Sequence, residues 1–284
     1  AAGAVIAAHR GRAVAVEHKA VGTSIASQVV TEVDRLAQVA ILEVLDATRT
    51  EFGLALLTEE SPDDGSRHER PAFWSIDPMD GTLAFTRDEP GFAVSIALVS
   101  QAGEPLLGVV LDPVTDTLWR AVRGAGATRN GRALRVGTLD PDRPLTLRTD
   151  VSFGHHPWLE ATREGLEALA RTLGLPGAEL RFRGGAVLNA CNTIADANAL
   201  YFKYARKAEA GGSLWDYAAT ACIVTEAGGV ATDITGAPME LNRAGSTFMN
   251  HRGVLYTADE RVARGVIALE KLLRESGGAS PGPA

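Results

Sequence analysis

The residues best placed to do chemistry form one short run, Asp77-Pro78-Met79-Asp80-Gly81-Thr82, which follows the apolar segment Phe73-Trp74-Ser75-Ile76. Two carboxylates three residues apart, held in a turn with a proline and a glycine, can bridge or share a hard divalent cation. Pro78 biases Asp77 toward an extended conformation, so a strand is expected to end there. Gly81 permits a backbone conformation, or a close approach, that a side chain would obstruct. Thr82 adds a hydroxyl that both donates and accepts. Taken alone, the run reads equally as a metal site or as an acidic surface turn, because single Asp-Pro and Asp-Gly pairs are common in turns.

Other acids recur in comparable places. Gly53-Leu54-Ala55-Leu56-Leu57-Thr58 reads as a buried strand ending in Glu59-Glu60. These carboxylates would converge with the first pair if the two strands are neighbours. Asp34 falls in the first turn of a helix expected over residues 31–47, where Val33, Leu36, Ala37, Ala40, Ile41, Val44 and Leu45 recur at helical spacing. Its plain role there is to favour the positive end of the helix, worth about 0.3–1 kcal/mol. Trp215-Asp216 stands ahead of a small-residue helix, 217–227, that stops at Gly228-Gly229 as a glycine cap would.

The elements that must position these acids divide the chain in two. A short helix over residues 1–11 leads to an irregular stretch near Val16-Glu17-His18-Lys19, and the polar segment 61–70 is expected to be an exposed loop. Strands are expected at 92–99, 105–111 and 117–122, then a tight hairpin at Asn130-Gly131. Their close spacing implies antiparallel pairing, and a strand at 145–149 is expected to close this half. Helix and strand then alternate: helix 157–172, strand 180–182, a helix from Gly184-Gly185 to Asp196, and strands at 200–204 and 229–233. The last helix opens on Thr257-Ala258-Asp259-Glu260, a capping-box pattern. The expected organisation is an N-terminal α+β half, 1–149, with most of the acids, and a C-terminal α/β half, 150–276, with Asp216. A Gly/Pro/Ser/Ala-rich tail, 277–284, is expected to be disordered.

Composition narrows the partners. At 284 residues and 45% hydrophobic the chain has ample material for a core. No run approaches the roughly 18 uncharged apolar residues of a membrane span, and the first residues make a poor signal peptide because no basic region precedes the apolar ones. A formal net charge of −7 argues against a nucleic-acid polymer as partner. A small phosphorylated substrate is compatible with it if metal ions supply the positive charge. Cys191 and Cys222 have no metal-site spacing and read as free thiols of a reducing cytoplasm.

In order, Asp34, Glu59-Glu60, Asp77-Pro78-Met79-Asp80-Gly81-Thr82 and Trp215-Asp216-Tyr217-Ala218-Ala219 resemble the inositol monophosphatase family of Mg2+-dependent, lithium-sensitive phosphomonoesterases. That superfamily includes 3'(2'),5'-bisphosphate nucleotidases. The resemblance covers residues 25–275 and implies a layered α/β/α/β/α sandwich, with a largely antiparallel N-terminal sheet, a smaller mixed C-terminal sheet, and a homodimer. By position, it implies that Glu59, Asp77 and the Met79 carbonyl hold a first Mg2+. Asp77, Asp80 and Asp216 would hold a second, and Glu59 would help a weaker third. Mn2+ would substitute, whereas Ca2+ and Li+ would inhibit. Asp34 would pair with Thr82 to orient the attacking, metal-bound water, and the Gly81 and Thr82 amides would bind phosphate. No motif for a covalent phosphoenzyme is present: neither cysteine sits in a phosphate-cradling loop, and there is no Asp-x-Asp nucleophile pair of the haloacid type.

For the substrate, the resemblance gives a small phosphorylated polyol or sugar. Glu209, seven residues before Asp216, matches a glutamate that contacts a substrate hydroxyl, and Gly184-Gly185-Ala186-Val187-Leu188-Asn189 resembles the substrate-side loop, so Ala186 joins the expected contacts. Gly236-Ala237-Pro238-Met239-Glu240-Leu241 resembles a turn of the nucleotidase branch, which makes adenosine 3',5'-bisphosphate the alternative substrate. Leu83-Ala84-Phe85, Gln28 and the long stretch 200–209 depart from the commoner pattern, and Arg181 and Arg183 are further candidates for the leaving group. A non-catalytic metal or ligand sensor is a remote alternative, since no acid the chemistry needs is missing. An EF-hand is excluded by the spacing of Asp77 and Asp80.

Overall fold

The computed structural model describes residues 1–12, 16–18, 29–207 and 211–276. Helix α1 (Ala2–His9) is followed by two short antiparallel strands, β1 (Val16–His18) and β2 (Val29–Thr31), so part of the expected irregular stretch is a strand. Helix α2 (Glu32–Phe52) runs five residues past its expected end and stops at Gly53, whose φ of 63° is the left-handed C-cap conformation. Its inner face is Val33, Asp34, Ala37, Gln38 and Ile41. Leu36 and Val44, expected inside, are exposed.

A seven-stranded sheet follows, in the order β3 (Ala55–Thr58), β4 (Ala72–Asp80), β5 (Ala93–Ser100), β6 (Pro105–Asp112), β7 (Thr117–Val122), β8 (Gly126–Arg129), β9 (Arg132–Leu134). Only β3 and β4 pair in parallel, and the rest is antiparallel. Asn130 and Gly131, at φ 49° and 75°, form the expected tight hairpin. The segment between β3 and β4 is not wholly exposed. Arg67 in its 3-10 turn (Ser66–His68) is 1% exposed, and its guanidinium reaches Asp63, Asn242 Oδ1 and the Arg243 carbonyl.

The second sheet has the order β11 (Ala178–Phe182), β10 (Leu145–Thr149), β12 (Ala199–Lys203), β14 (Val254–Thr257), β13 (Val230–Thr232). β10 lies parallel to β11 and β12, while β14 is antiparallel to its two neighbours. The strand at 145–149, expected to close the first half, therefore pairs into the second sheet. The remaining helices are α3 (Thr82–Thr86), α4 (Leu159–Thr172), α5 (Ala186–Ala195), α6 (Leu214–Glu226) and α7 (Glu260–Ser276). Asp259 caps α7 by accepting from the Arg261 amide at 2.7 Å, a role the sequence pattern gave to Thr257.

The layers follow from three apolar cores. Trp74, Ile76 and Val94 face α1 and α2; Phe73, Ala93 and Ala97, on the opposite face of the same strands, pack with α5 and α6. The far side of α5 and α6 meets Tyr201 and Tyr256 of the second sheet. Leu200, Phe202 and Leu255 face outward to α4 and α7. The result is the expected α/β/α/β/α sandwich.

Candidate active site

Strand alternation brings the acids together. On β4, Phe73, Ser75 and Asp77 point toward the middle layer. Thr58 pairs with Ile76, and the Glu59 amide donates to the Ile76 carbonyl at 3.1 Å, so Glu59 falls beside Asp77. The two strand ends are neighbours, as convergence required. β4 does not end at Asp77: it runs on to Asp80 through a register shift opposite Ser95 and Ala93. An irregular position of this kind accommodates Pro78, which has no amide to give the ladder. Ser95 Oγ donates to the Trp215 carbonyl at 3.0 Å, drawing the start of α6 onto the sheet. Trp215 and Asp216 lie within the first turn of α6, not ahead of it. Asp216 takes the capping-box position by accepting from the Ser213 amide at 2.7 Å.

As a result, one carboxylate oxygen each from Asp77, Asp80 and Asp216 lies within 4.8 Å of the other two. Asp77 is 1% exposed and accepts from the Met79 amide at 2.9 Å. Asp80 accepts from the amides of Val187 at 2.9 Å and Ala186 at 3.3 Å, which open α5. Gly185 makes this approach possible, because a side chain there would collide with the Asp80 carboxylate.

Electrostatics shows the cost of the arrangement. Burial, then the charges of Glu59, Asp216 and Asp80, hold the Asp77 carboxyl well above its ordinary range. Burial and then Asp216 push Asp80 up to about 8, and burial and Glu59 push Asp216 up to about 6. Three acids this close keep their charge only against a positive partner. Hard oxygen donors in such a group suit Mg2+, Mn2+ or Ca2+. The residues therefore fit a divalent metal site.

Asp34 and Thr82 stand beside the trio. Asp34 Oδ2 accepts from the Thr31 amide at 2.8 Å and the Thr31 hydroxyl at 2.6 Å, completing a capping box on α2. Its Oδ1 accepts from Thr82 Oγ1 at 3.0 Å. Helix capping and site contact thus use different oxygens of one carboxylate. Thr82 Oγ1 also lies 3.1 Å from the Met79 carbonyl. Burial first, then opposed by the Thr31 donors, leaves the Asp34 carboxyl raised. Gly81, at φ 85°, is the N-cap of α3. The Ala186 amide points at Asp80, and Glu209, Gln28 and the tail 277–284 lie outside the described residues.

Sequence reasoning missed a neighbouring ion pair, Lys203 Nζ to Asp150 Oδ2 at 2.9 Å. The one signal was a lone cation closing an otherwise apolar strand, Ala199–Lys203.

The sequence profile of the inositol monophosphatase family matches residues 1–272. The chain belongs to that family. It is 31% identical to the Nus factor SuhB of Vibrio cholerae over 251 residues, 88% of this chain and 84% of that one. It is 36% identical to inositol monophosphatase 1 of Bos taurus over 168 residues, 59% of this chain and 57% of that one. Among solved structures, the Thermotoga maritima IMPase superposes with a TM-score of 0.72 at 26% identity, covering 98% of this chain and 95% of that one. These relatives support a phosphatase of this family. Among the described residues, no helix is long and apolar enough to cross a membrane.

Proposed function

We propose that this chain is a Mg2+-dependent phosphomonoesterase acting on a small phosphorylated polyol or sugar. The observation that carries this reading is the meeting of Asp77, Asp80 and Asp216 beside the Asp34–Thr82 hydrogen bond. Glu59, Asp77 and the Met79 carbonyl would hold one ion, Asp77, Asp80 and Asp216 a second, and Glu59 would serve a weaker third. When bound, such ions neutralise charge on the phosphoryl oxygens and make a coordinated water more acidic.

The chain's own groups handle position and protons. The Thr82 hydroxyl has one hydrogen, which it gives to Asp34 or to the Met79 carbonyl. A lone pair is then left to accept from the attacking water, so the proton passes from water to Thr82 and from Thr82 to Asp34. A raised carboxyl pKa at Asp34 suits it to receive that proton. The Gly81 and Thr82 amides have no partner within α3, as in the first turn of any helix, and are left for phosphoryl oxygens. Attack by water is direct, without a phosphoenzyme.

In this reading the protein is a cytoplasmic homodimer, and it meets small phosphorylated metabolites rather than nucleic-acid polymers. The two buried free cysteines and the net charge of −7 support this setting. Mn2+ is expected to substitute, and Ca2+ and Li+ to inhibit. The test is phosphate release from inositol 1-phosphate, expected with Mg2+, absent in EDTA and abolished in Asp80→Asn. Trapping of a covalent phosphoenzyme, or no Mg2+-dependent hydrolysis across a broad phosphate panel, would refute the reading.

A further inference from the structure

Alternation along β12 sends Leu200 and Phe202 to the outer core and Tyr201 to the middle layer, where it joins the core that holds Tyr217. Lys203, two residues beyond Tyr201, closes the strand on that same inner side. Its charge acts on both Asp80 and Asp216, which puts the ammonium at the margin of the acid trio.

A shallow, solvent-open depression begins there, lined by Lys203, Arg206, Gly211, Gly212, Tyr217 and Asn250. Gly212 joins the depression to the trio. A side chain at this position would lie 2.5 Å from the Asp216 carboxylate and would strike the Tyr217 hydroxyl. Arg206 is fixed at its backbone by two bonds with Asn250, at 2.8 and 2.9 Å, and its guanidinium passes 2.8 Å from where a Gly211 side chain would begin.

Lys203 is not locked into its ion pair. Asp150 also accepts from the Ser152 amide at 3.0 Å and from the Ser152 hydroxyl, so its carboxylate keeps partners if the ammonium turns away. The Lys203 side chain retains 21% exposure, and an ammonium carries three donors. Beside a site whose other fixed charges are acidic, a second anion on the substrate is tolerated only where cations stand.

We propose that Lys203, with Arg206, makes this depression an anion subsite beside Asp216, so that the preferred phosphomonoester carries a second anionic group, a carboxylate or a further phosphate, on its leaving portion. This rests on the phosphatase reading above and adds a substrate class to it.

The test uses glycerol 3-phosphate, 3-phosphoglycerate, which replaces its terminal hydroxymethyl by a carboxylate, and fructose 1,6-bisphosphate. Binding is measured by calorimetry with Ca2+ in place of Mg2+, and turnover by phosphate release with Mg2+. The unaltered protein is expected to favour 3-phosphoglycerate or the bisphosphate over glycerol 3-phosphate by about tenfold, the size of one charge-assisted hydrogen bond. Whichever is favoured names the second anion. Lys203→Gln is expected to erase the preference and Lys203→Arg to keep it. Because Lys203→Gln leaves Asp150 without its cation, Asp150→Asn/Lys203→Gln is measured alongside and is expected to show the same loss. Equal binding of all three compounds, or a preference that survives in both Gln variants, would overturn the subsite. A binding preference without hydrolysis of any of the three would refute the phosphatase reading alone.

Discussion

Two sets of carboxylates, buried or partly buried, lie close together and behave in opposite ways. Asp150 is held at about 2, although burial works against its charge, because Lys203 and Ser152 outweigh that penalty. Asp80 is pushed up to about 8 and Asp216 to about 6, and burial is the largest cause in both. The difference lies in what faces each group. Asp150 has an ammonium at 2.9 Å, whereas Asp77, Asp80 and Asp216 face one another. In one place the chain supplies its own counter-charge, Lys203, alongside the Ser152 donors. In the other the acids face one another, an arrangement that fits the divalent cation proposed above.

The largest expected effect breaks the trio. Asp80→Asn is expected to lower the rate of phosphate release by about 10^3-fold, since an ion supplies several kcal/mol of stabilisation to the reacting charges. Circular dichroism should be unchanged, and a loss below tenfold would end the reading of these acids as an ion site. Next, Thr82→Ala should lower kcat by about 10^2-fold, with Thr82→Ser recovering most of it, as proton handling requires. If Ser does not rescue, the hydroxyl matters only for packing.

The self-neutralised pair gives a stability effect. Lys203→Met leaves the partly buried Asp150 with only its Ser152 donors and should cost about 1–2 kcal/mol in urea unfolding. Asp150→Asn/Lys203→Met should cost less than the single change, and equal costs would show that the pair is not coupled.

The smallest effect is the pH dependence without divalent ions. Folded Asp77, Asp80 and Asp216 hold protons more tightly than an ordinary carboxyl at 3.8, so protonation favours the fold. That stabilisation is complete below the ordinary value and is lost as pH rises through about 6 for Asp216 and about 8 for Asp80. In EDTA, Tm should therefore fall from pH 5 to pH 9, and Asp80→Asn should flatten the fall. Mg2+ should raise Tm more at pH 8 than at pH 5. A flat Tm in EDTA would show that the trio is not under charge strain.

The trio was legible because its acids sit where local chemistry is strict, at strand ends and beside Pro78, Gly81 and Trp215. The five-layer fold was legible through the family resemblance. Which sheet receives β10 was not, because sheet membership depends on partners distant in the chain: Leu145 opposite Ala178, and Thr146 opposite Ala199. The continuation of β4 past Pro78 was hidden for a similar reason, since the register shift is set by β5. The position of Asp34 in the sequence pattern gave only a helix-end charge, which it is; its pairing with Thr82 was legible through the family resemblance, and the structure makes it with the second oxygen once α2 and α3 lie together. Arg67 looked like part of an exposed polar loop, and its partners Asn242 and Arg243 come from the other end of the chain. Lys203 was passed over because a single cation at a strand end gains meaning only from what lies opposite.

The grip of the α5 amides on Asp80 bears on how the molecule is assembled. Asp80 belongs to the first sheet, and the Val187 and Ala186 amides that orient it come from the middle layer, more than 100 residues later. Asp216 arrives later still. A nascent chain that has completed only the first sheet has Asp77 and Asp80 but neither their third partner nor the donors that aim Asp80. In the proposed reading, tight cation capture would therefore be a late event in folding, and its free energy would be stored in the seam between the layers. Divalent ions should leave the refolding rate nearly unchanged and slow unfolding, so the ion acts as a latch on a finished molecule rather than a seed for a growing one.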